Sequence, residues 1–190
     1  MGNDFSKEVS NCIEALSKGG LILYPTDTVW GIGCDATNEE AIQKVYALKS
    51  RKDSKALICL VANDAMLERH VEKVPEVAYD ILDLAVKPTT IVYDKPMGIA
   101  KNAIAEDNTM AIRVASDKFC QYLINKFKKP IISTSANIAG DPTPKGFGQI
   151  DPIILKGVDY IVNLRQDEKS GTPSAIIKLS NDGTVKVIRE

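Results

Sequence analysis

Histidine and cysteine are both scarce in this chain, and their scarcity limits the chemistry that it can carry. There is one histidine, His70, and the four cysteines lie far apart without forming a C-x-x-C pair. An ordinary zinc site draws on several such ligands, so we expect none here. Nucleophilic catalysis by a Ser-His or Cys-His pair is disfavoured for the same reason. We expect the cysteines to be small buried side chains and His70 to lie on the surface of a helix.

Long apolar runs and an excess of charge of either sign are also missing. No run approaches the roughly 18 apolar residues of a membrane span, and the N-terminus lacks the basic and apolar segments of a signal peptide. The 24 basic and 25 acidic residues give a net charge of −1, so no overall field draws the chain to nucleic acid or to a membrane. We therefore expect a cytoplasmic protein, and the length of 190 residues favours a single domain over residues 1–190.

The two common phosphate-binding loops are absent as well. No G-x-G-x-x-G follows a predicted strand, and G-x-x-x-x-G-K-[ST] does not occur. If the chain binds a nucleotide, other groups must hold the phosphates.

Short apolar runs alternate irregularly with helical patterns along the chain. Strands are predicted at 21–24, 31–34, 56–62, 89–93, 110–114, 130–134, 174–179 and 184–188, and helices at 4–18, 37–48, 63–70, 75–85 and 116–127. The T-N-E-E sequence that starts at Thr37 predicts a capping box, Ser116 predicts a second N-cap, and N-D-G at 181–183 predicts a hairpin. This order indicates an α/β protein of the α+β type, with an open, twisted mixed sheet covered by helices.

Polar side chains are concentrated in four segments where predicted strands or helices end. These are Thr26-Asp27-Thr28 with Trp30, the basic run 49–55, the S-T-S-A-N segment from Ser133, and the S-G-T-P-S segment 170–174. A plain turn between two buried strands needs Gly, Pro, Asn or Asp, and it does not need two threonines and the only tryptophan. Loops at strand ends are the usual place for a ligand in such a sheet.

Two of these segments fit a phosphate site, and each also has a simpler interpretation. Between Lys44 and Lys55 there are five cations and one acid. They fit either a solvated helix end, where cations complement the helix dipole, or a group of phosphate ligands. The hydroxyls of S-T-S-A-N fit either an ordinary polar turn or an anion cradle.

An arginine stands inside an otherwise apolar strand, in M-A-I-R-V-A-S. A buried arginine needs a partner. Arg113 therefore indicates either a structural salt bridge or a two-pronged clamp on a substrate carboxylate.

Taken together, these segments resemble the YrdC/Sua5 family, the threonylcarbamoyl-AMP synthases, over nearly the whole chain. The family's opening signature, Y-P-T-[DE]-T-x-[YW]-G-[LI]-G, corresponds to 24–33, its K-x-R motif to 49–51 and its S-x-N motif to 135–137. The strand arginine corresponds to Arg113, the G-x-P-S strand to 171–177 and the closing I-R to 188–189. The chain departs from the family at the two prolines that usually follow K-x-R, which are Lys52 and Ala56 here. It also departs at Leu60, where some members have a histidine, and at Ala175, which replaces a threonine.

The resemblance implies an enzyme of the nucleotidyltransferase class. Such enzymes form threonylcarbamoyl-AMP and pyrophosphate from L-threonine, bicarbonate and ATP, with Mg²⁺ expected on the phosphates. The product serves the N6-threonylcarbamoyladenosine modification of tRNA, so the threonylcarbamoyl transferase machinery is an expected partner. The fold implied is an open twisted sheet with a large concave ligand face.

The resemblance also implies particular site residues. The threonine pocket is expected to contain Thr28, Arg113, Ser133 and Ser174. The ATP site is expected to contain Lys49, Arg51, Lys55, Thr109, Ser135, Asn137, Thr143 and Arg189, with Lys49 and Arg51 as the catalytic pair. Trp30 is interpreted either as a wall that keeps water from the carbamate or as a core residue.

Two other functions remain open on the same sequence. One is a module that binds double-stranded RNA or tRNA through backbone phosphates, using Lys49, Arg51, Lys52 and Lys55 on the concave face. The near-neutral net charge disfavours it as the sole function. The other is a divergent paralogue that acts on another carbamoyl or nucleotide substrate.

Overall fold

The computed structural model describes residues 5–50 and 57–190, and within them the chain forms one mixed sheet of nine strands flanked by helices. The strands are β1 Ile22–Tyr24, β2 Gly31–Asp35, β3 Ile58–Val61, β4 Thr89–Asp94, β5 Thr109–Val114, β6 Ile131–Ser135, β7 Tyr160–Ile161, β8 Ala175–Leu179 and β9 Val185–Arg189. The α-helices are α1 Ser6–Ser17, α2 Glu39–Leu48, α3 Asp64–Arg69, α4 Glu76–Leu84, α5 Lys118–Phe127 and α6 Pro152–Gly157, and 3₁₀ turns occupy Lys101–Ala103 and Phe147–Gln149.

The strands run in the spatial order β7-β1-β2-β6-β3-β5-β4-β8-β9. The pairs β1–β7, β3–β5 and β4–β8 are parallel, and the other five pairs are antiparallel. Helices α1 and α5 contact each other, α1 and α2 contact β2, and α3 and α5 contact β3. The predicted open, mixed sheet with covering helices is therefore confirmed, including the hairpin between β8 and β9.

Helix starts differ from the prediction by one residue at two places. The N-cap of α2 is Asn38, whose Oδ1 accepts a hydrogen bond from the Ala41 N–H at 3.1 Å. Thr37, predicted to be the cap, instead donates its hydroxyl to Asp35 at 2.7 Å. The predicted capping box at 37–40 is therefore wrong, because a carboxylate of the preceding strand competes for the threonine hydroxyl.

The start of α5 shows the same kind of shift. Asp117 is the N-cap, and its Oδ1 accepts from the Cys120 N–H at 2.9 Å. Ser116, the predicted cap, donates its hydroxyl to Asp27 at 2.7 Å. In both cases the residue nearest the helix has the capping role, and its neighbour binds a carboxylate elsewhere, which is local for Thr37 and distant in sequence for Ser116.

Two elements lie where the sequence analysis assigned none. Helix α6 begins after Asp151, whose carboxylate caps the Ile153 N–H at 2.7 Å, and Pro152 occupies the first helical position. Strand β7 has only two residues and is defined by parallel pairing with β1. Elements this short bury too few residues to produce a periodic pattern.

The cysteine prediction is confirmed. Cys12, Cys34, Cys59 and Cys120 are buried and unpaired. Burial raises the pKa of the Cys12 and Cys59 thiols to about 12, so both are protonated and unreactive at neutral pH. His70 is partly exposed, and its Nδ1 lies 2.9 Å from the carbonyl oxygen of Met97. None of the helices between residues 5 and 50 or between 57 and 190 has the length and apolar character that crossing a membrane requires.

Candidate active site

A cavity of about 400 Å³ lies over the middle strands of the sheet. Thr109, Ala111 and Arg113 line it from β5, and Ser133 and Ser135 line it from β6. Alternate residues of a strand point to the same face, so one face of β5 and β6, together with β3 between them, forms the floor. The loop before β2, the end of α2 and the segments around 173–176 and 188–189 form the walls.

The wall before β2 is held in shape by its own threonines. The Thr28 N–H donates to Thr26 Oγ1 at 3.1 Å, and the Thr26 hydroxyl donates to the Val29 carbonyl at 2.8 Å. The two hydroxyl oxygens are 3.0 Å apart. Local side-chain-to-backbone bonds of this kind replace the ladder bonds that the loop lacks. Both threonine side chains are buried and line the cavity.

Asp27, between the two threonines, binds two other elements. Its Oδ1 lies 3.0 Å from Arg113 Nη2, and its Oδ2 accepts from the Ser116 hydroxyl at 2.7 Å. The side chains of Arg113 and Asp27 are only 4% and 10% exposed. Removing one partner of such a buried ion pair would leave an uncompensated charge, which is strongly destabilising.

Arg113 forms a structural salt bridge, which was the first of its two interpretations. It also has an unused donor, as the second interpretation, a clamp on a substrate carboxylate, requires. Its Nη2 also contacts Thr28 Oγ1 at 3.4 Å. Its Nε is buried and has no hydrogen-bond partner among the described residues. Arg113 also lines the cavity, where a guanidinium is suited to an anionic oxygen of a ligand.

The opposite wall is organised around Ser174, which is 2% exposed. Its hydroxyl oxygen is 2.8 Å from the hydroxyl of the fully buried Thr90. Arg189 Nε donates to the Ser174 carbonyl at 2.9 Å. Thr90 pairs with Ile176 in the parallel register of β4 and β8, and its hydroxyl reaches back to Ser174, which immediately precedes β8.

Two guanidinium groups therefore face the same cavity. Desolvation, and after it the positive charge of Arg113, lower the pKa of Arg189. A ligand that carries negative charge between the two guanidinium groups would relieve their mutual repulsion.

Lys49 links the end of α2 to the S-T-S-A-N segment. Its side chain is 1% exposed, and its ammonium donates to the carbonyls of Ser135 and Asn137, the latter at 2.7 Å. The Ala139 N–H in turn donates to the Lys49 carbonyl at 3.0 Å. The lysine thus fixes the backbone of the loop that follows β6 while it also borders the cavity.

The amide of Asn137 is directed into the same loop. Its Nδ2 donates to the carbonyls of Ile138 and Asp141 at 2.9 and 2.8 Å. Its Oδ1 is buried without a hydrogen-bond partner among the described residues. Asn137 is not among the residues that border the cavity, so it supports the loop from behind.

Thr109 borders another part of the cavity and binds a carboxylate that does not border it. Its hydroxyl donates to Asp107 Oδ1 at 2.7 Å. This hydrogen bond, followed by the one from Lys178, lowers the pKa of Asp107. Asp107 is therefore fully ionised at neutral pH, and it is not among the cavity residues.

Gly31, at the start of β2, permits the close approach of β6. A Cβ atom at this position would lie 3.0 Å from Ser133 Oγ, closer than ordinary packing allows. A side chain at Gly31 would therefore require the Ser133 hydroxyl to turn away from residues 25–30, which we call the threonine loop.

The structure brings together most of the predicted site residues. Thr28, Lys49, Thr109, Arg113, Ser133, Ser135, Thr143, Ser174 and Arg189 all border the cavity. Asn137 lies behind it, and the predicted Arg51 and Lys55 fall outside the described residues. The departures at Lys52 and Ala56 fall outside them as well.

Several residues in or around the site were not among the individual site residues that were predicted. Thr26 borders the cavity beside Thr28, and its position in the same motif could have indicated it. Thr90 and Arg165 left no local signal, because their partners are distant in sequence. Trp30 does not border this cavity; its ring packs on Phe147 with centroids 5.0 Å apart. The packing therefore favours the core interpretation of Trp30.

The described lining carries no carboxylate and no imidazole. Within the part of the chain that the structure describes, no group of three or more His, Cys, Asp or Glu side chains could hold a metal ion. The polar groups of the lining are hydroxyls, backbone groups and cations, which bind phosphate and carboxylate oxygens.

Comparisons with known proteins agree with this geometry. The family model for Sua5, YciO and YrdC, described as "Telomere recombination", matches residues 14–190. A protein of Pseudoalteromonas translucida (strain TAC 125) named threonylcarbamoyl-AMP synthase is 31% identical over 182 residues, which cover 93% of this chain and 95% of that protein.

Two solved structures share the fold. E. coli YciO matches with a TM-score of 0.83 and 24% identity, over 97% of this chain and 89% of that one. P. abyssi Sua5, solved with L-threonine, matches with a TM-score of 0.81 and 23% identity over 95% of this chain. The chain spans about half of that Sua5 chain, 53% of its length. At these identities the two structures show likeness of fold.

Proposed function

This chain belongs to the Sua5/YciO/YrdC family, and we propose that it is a threonylcarbamoyl-AMP synthase. The reaction joins L-threonine, bicarbonate and ATP into threonylcarbamoyl-AMP, with release of pyrophosphate and water. The name of its 31% identical relative favours this activity over an RNA-binding module. The enzyme is then a nucleotidyltransferase, because an adenylyl group moves from pyrophosphate to a carbamate oxygen.

The observation that carries the proposal is the buried Arg113 with an unused Nε donor at a cavity rich in hydroxyls. A threonine carboxylate at this Nε would lie beside the Thr28 hydroxyl, which already contacts the same guanidinium at 3.4 Å. Ser133 and Ser174 provide further donors and acceptors for the amino acid. A charged hydrogen bond in such a dry site is stronger than its equivalent in water.

The remaining residues of the cavity suit the nucleotide. Arg189, Thr109, Ser135 and Thr143 border the cavity away from the threonine loop, and we assign them to ATP. Lys49 holds the Ser135–Asn137 backbone and so places this wall. We assign Arg51 and Lys55, which follow Lys49 in the sequence, to the phosphates.

The chemistry needs positioning more than covalent help from the protein. Threonine's amine first takes up CO₂ from bicarbonate to give a carbamate, and a carbamate oxygen then attacks the α-phosphorus. The bond from that phosphorus to the bridging oxygen breaks, and pyrophosphate leaves. Cations around the phosphates stabilise the charge that develops on the leaving group. Mg²⁺ enters with ATP as part of the substrate, held by phosphate and water.

The product is a reactive mixed anhydride of the carbamate with AMP. It must reach the enzyme that transfers the threonylcarbamoyl group to tRNA. We therefore propose a threonylcarbamoyl transferase as the partner that takes the product. We further propose that residues 1–190 form one domain and that the protein works in the cytoplasm, where ATP and tRNA are available.

The test is pyrophosphate release by the purified chain with ATP, Mg²⁺ and bicarbonate. We expect release to require both L-threonine and bicarbonate and to be weak with serine or valine. Arg113→Ala should reduce kcat/KM for threonine about 100-fold or more, since it removes the carboxylate partner. Circular dichroism must show that this variant is folded, because the buried Asp27 loses its ion pair. Arg69→Ala, on an exposed turn of α3, is the matched control and should be unchanged.

Two outcomes would contradict the proposal. One is no release under any condition, together with no shift of the melting temperature by ATP or threonine. The other is release that is independent of threonine, which would assign the cavity to a different acceptor.

A further inference from the structure

A second, smaller cavity of about 210 Å³ lies on another side of the threonine loop. One of its walls is the threonine loop, residues 25–30, part of which also borders the main cavity, and the other is formed by Arg165 and the segment 168–171. We call residues 163–171, which connect β7 toward β8, the rear loop. The rear loop therefore supports the threonine loop from outside the main cavity.

The backbone of the rear loop approaches Thr28 closely. A Cβ atom at Gly171 would lie 3.0 Å from the Thr28 carbonyl oxygen. The Ser170 N–H donates to the Lys145 carbonyl at 2.9 Å, and Lys169 bridges to Gly146. The rear loop is thus connected both to the threonine loop and to the segment that contains Thr143.

Arg165 makes the polar contacts across this junction. Its Nη2 donates to the Pro25 carbonyl at 3.2 Å, and its Nη1 donates to the Thr26 carbonyl at 3.4 Å. The same Nη1 lies 2.9 Å from Asp117 Oδ2. The guanidinium therefore joins two consecutive carbonyls of the threonine loop to the N-cap of α5.

Two further features distinguish this contact from an ordinary surface ion pair. Arg165 has a φ of 53°, in the left-handed region that costs a non-glycine residue free energy. Its side chain is 28% exposed and that of Asp117 is 14% exposed. A strained backbone that directs a fork of donors onto two carbonyls is typical of a residue that holds a functional segment.

The other side of the threonine loop is held independently. Asp27 binds Arg113 and Ser116, so α5 and β5 already fix the loop's middle. Arg165 fixes the residues immediately before it. The carbonyls that Arg165 binds lie one and two peptide units before Asp27, so a shift there would displace Thr28 relative to Arg113.

We propose that Arg165 is a positioning residue of the threonine pocket. It holds the Pro25 and Thr26 carbonyls so that the Thr28 hydroxyl and the Arg113 guanidinium keep the spacing that threonine requires. The inference rests on the proposed synthase function and adds to it a residue that contacts no substrate.

The experiment compares Arg165→Met, Arg165→Lys and the unaltered chain by pyrophosphate release, with threonine and ATP varied separately. We expect Arg165→Met to raise the KM for threonine about tenfold, the size of one lost hydrogen bond to a charged group. The KM for ATP and the kcat at saturating threonine should change by less than about twofold, because the nucleotide wall is held by Lys49.

Arg165→Lys separates charge from geometry. Lysine can pair with Asp117, but it cannot fork onto two carbonyls. We expect its KM for threonine to stay raised by about fivefold. Full recovery with lysine would overturn the proposal, because charge alone would then suffice.

Further outcomes separate this inference from a general structural effect. Equal increases in both KM values, or an unchanged KM for threonine, would overturn it. If Arg165→Met does not fold, Arg165→Gln gives the same comparison, and Arg69→Met is the control in both cases. If the unaltered chain releases no threonine-dependent pyrophosphate, the proposed function fails; if it is active and the variants match it, only this inference fails.

Discussion

At the scale of single residues, the site depends on polar side chains that bind each other before they bind a ligand. Asp27 pairs with Arg113, and Lys49 binds backbone carbonyls. A buried charge without a partner would destabilise the fold, because nothing compensates for its removal from water. These polar groups are therefore held in place within the protein itself, before any ligand is bound.

Arg113 illustrates what sequence alone could decide about a residue. A lone arginine in an apolar strand indicated either a salt bridge or a ligand clamp. The structure contains the salt bridge to Asp27 and leaves Nε unused. The two interpretations were therefore not exclusive, because one guanidinium has five donors.

Thr90 gives a prediction at this scale. Its fully buried hydroxyl lies 2.8 Å from that of Ser174. Thr90→Val keeps the shape but leaves the Ser174 hydroxyl without this partner, so the free energy of unfolding should fall by about 1 kcal/mol. Urea denaturation measures this change. Thr172→Val, at an exposed position, should change it by less than about 0.5 kcal/mol; equal effects would show that the buried pair contributes nothing.

At the scale of elements, the sequence located helices and strands well and helix caps less well. The capping residues of α2 and α5 are Asn38 and Asp117, each one position after the residue that local patterns favoured. Thr37 and Ser116 were equally suitable by type. They are engaged by Asp35 and Asp27 instead, and these contacts are not encoded in helix patterns.

The cap of α2 can be tested directly. Asn38→Ala removes the acceptor of the Ala41 N–H, and the free energy of unfolding should fall by about 1 kcal/mol. Asn38→Asp keeps an acceptor and adds a charge that favours the helix N-terminus, so it should be neutral or stabilising. Thermal and urea unfolding of the three proteins provide the measurement. If Thr37→Ala lowers the free energy of unfolding more than Asn38→Ala does, Thr37 rather than Asn38 is the residue that caps the helix.

At the scale of the whole molecule, the sheet order decides which segments meet. Strand β6 inserts between β2 and β3, and β4 pairs with β8 across the chain. These pairings bring residues 26–31, 109–113, 133–135 and 174 to one cavity. The motifs that are scattered along the chain therefore belong to one site.

The buried thiols give a prediction for the whole molecule. The folded-state pKa of Cys12 and Cys59 is about 12, against a usual value of 9.0. Because the folded state keeps its protons above pH 9 while the unfolded state loses them, stability must fall as pH rises from about 9 toward 12. Each of these thiols should lower the free energy of unfolding at pH 10 by about 1.4 kcal/mol relative to neutral pH.

Denaturant unfolding between pH 7 and pH 10.5 checks this dependence. Cys12→Ala should reduce the alkaline slope even though it lowers stability at pH 7 by creating a small cavity. A slope that is unchanged in Cys12→Ala would contradict the role of this thiol. Alkylation of the folded protein at pH 8 should be slow, since protonated buried thiols do not react.

The sequence by itself determined the fold class, most of the strands, the burial of the cysteines and the motifs that carry the family resemblance. These features depend on local periodicity and on residue types at short spacing, which a single chain displays directly. It also indicated most of the polar residues that border the cavity, through the segments at 24–33, 49–51, 110–114, 133–137, 171–177 and 188–189.

Only the tertiary structure decided which of these polar groups bind each other. Thr90 meets Ser174 across 84 positions, Arg113 meets Thr28 across 85, and Arg165 meets Pro25 across 140. Such pairings follow from the order and register of the strands, and many registers are compatible with the same local pattern until the core is packed. The roles of Thr90 and Arg165 could therefore be recognised only after the sheet had brought their partners to them.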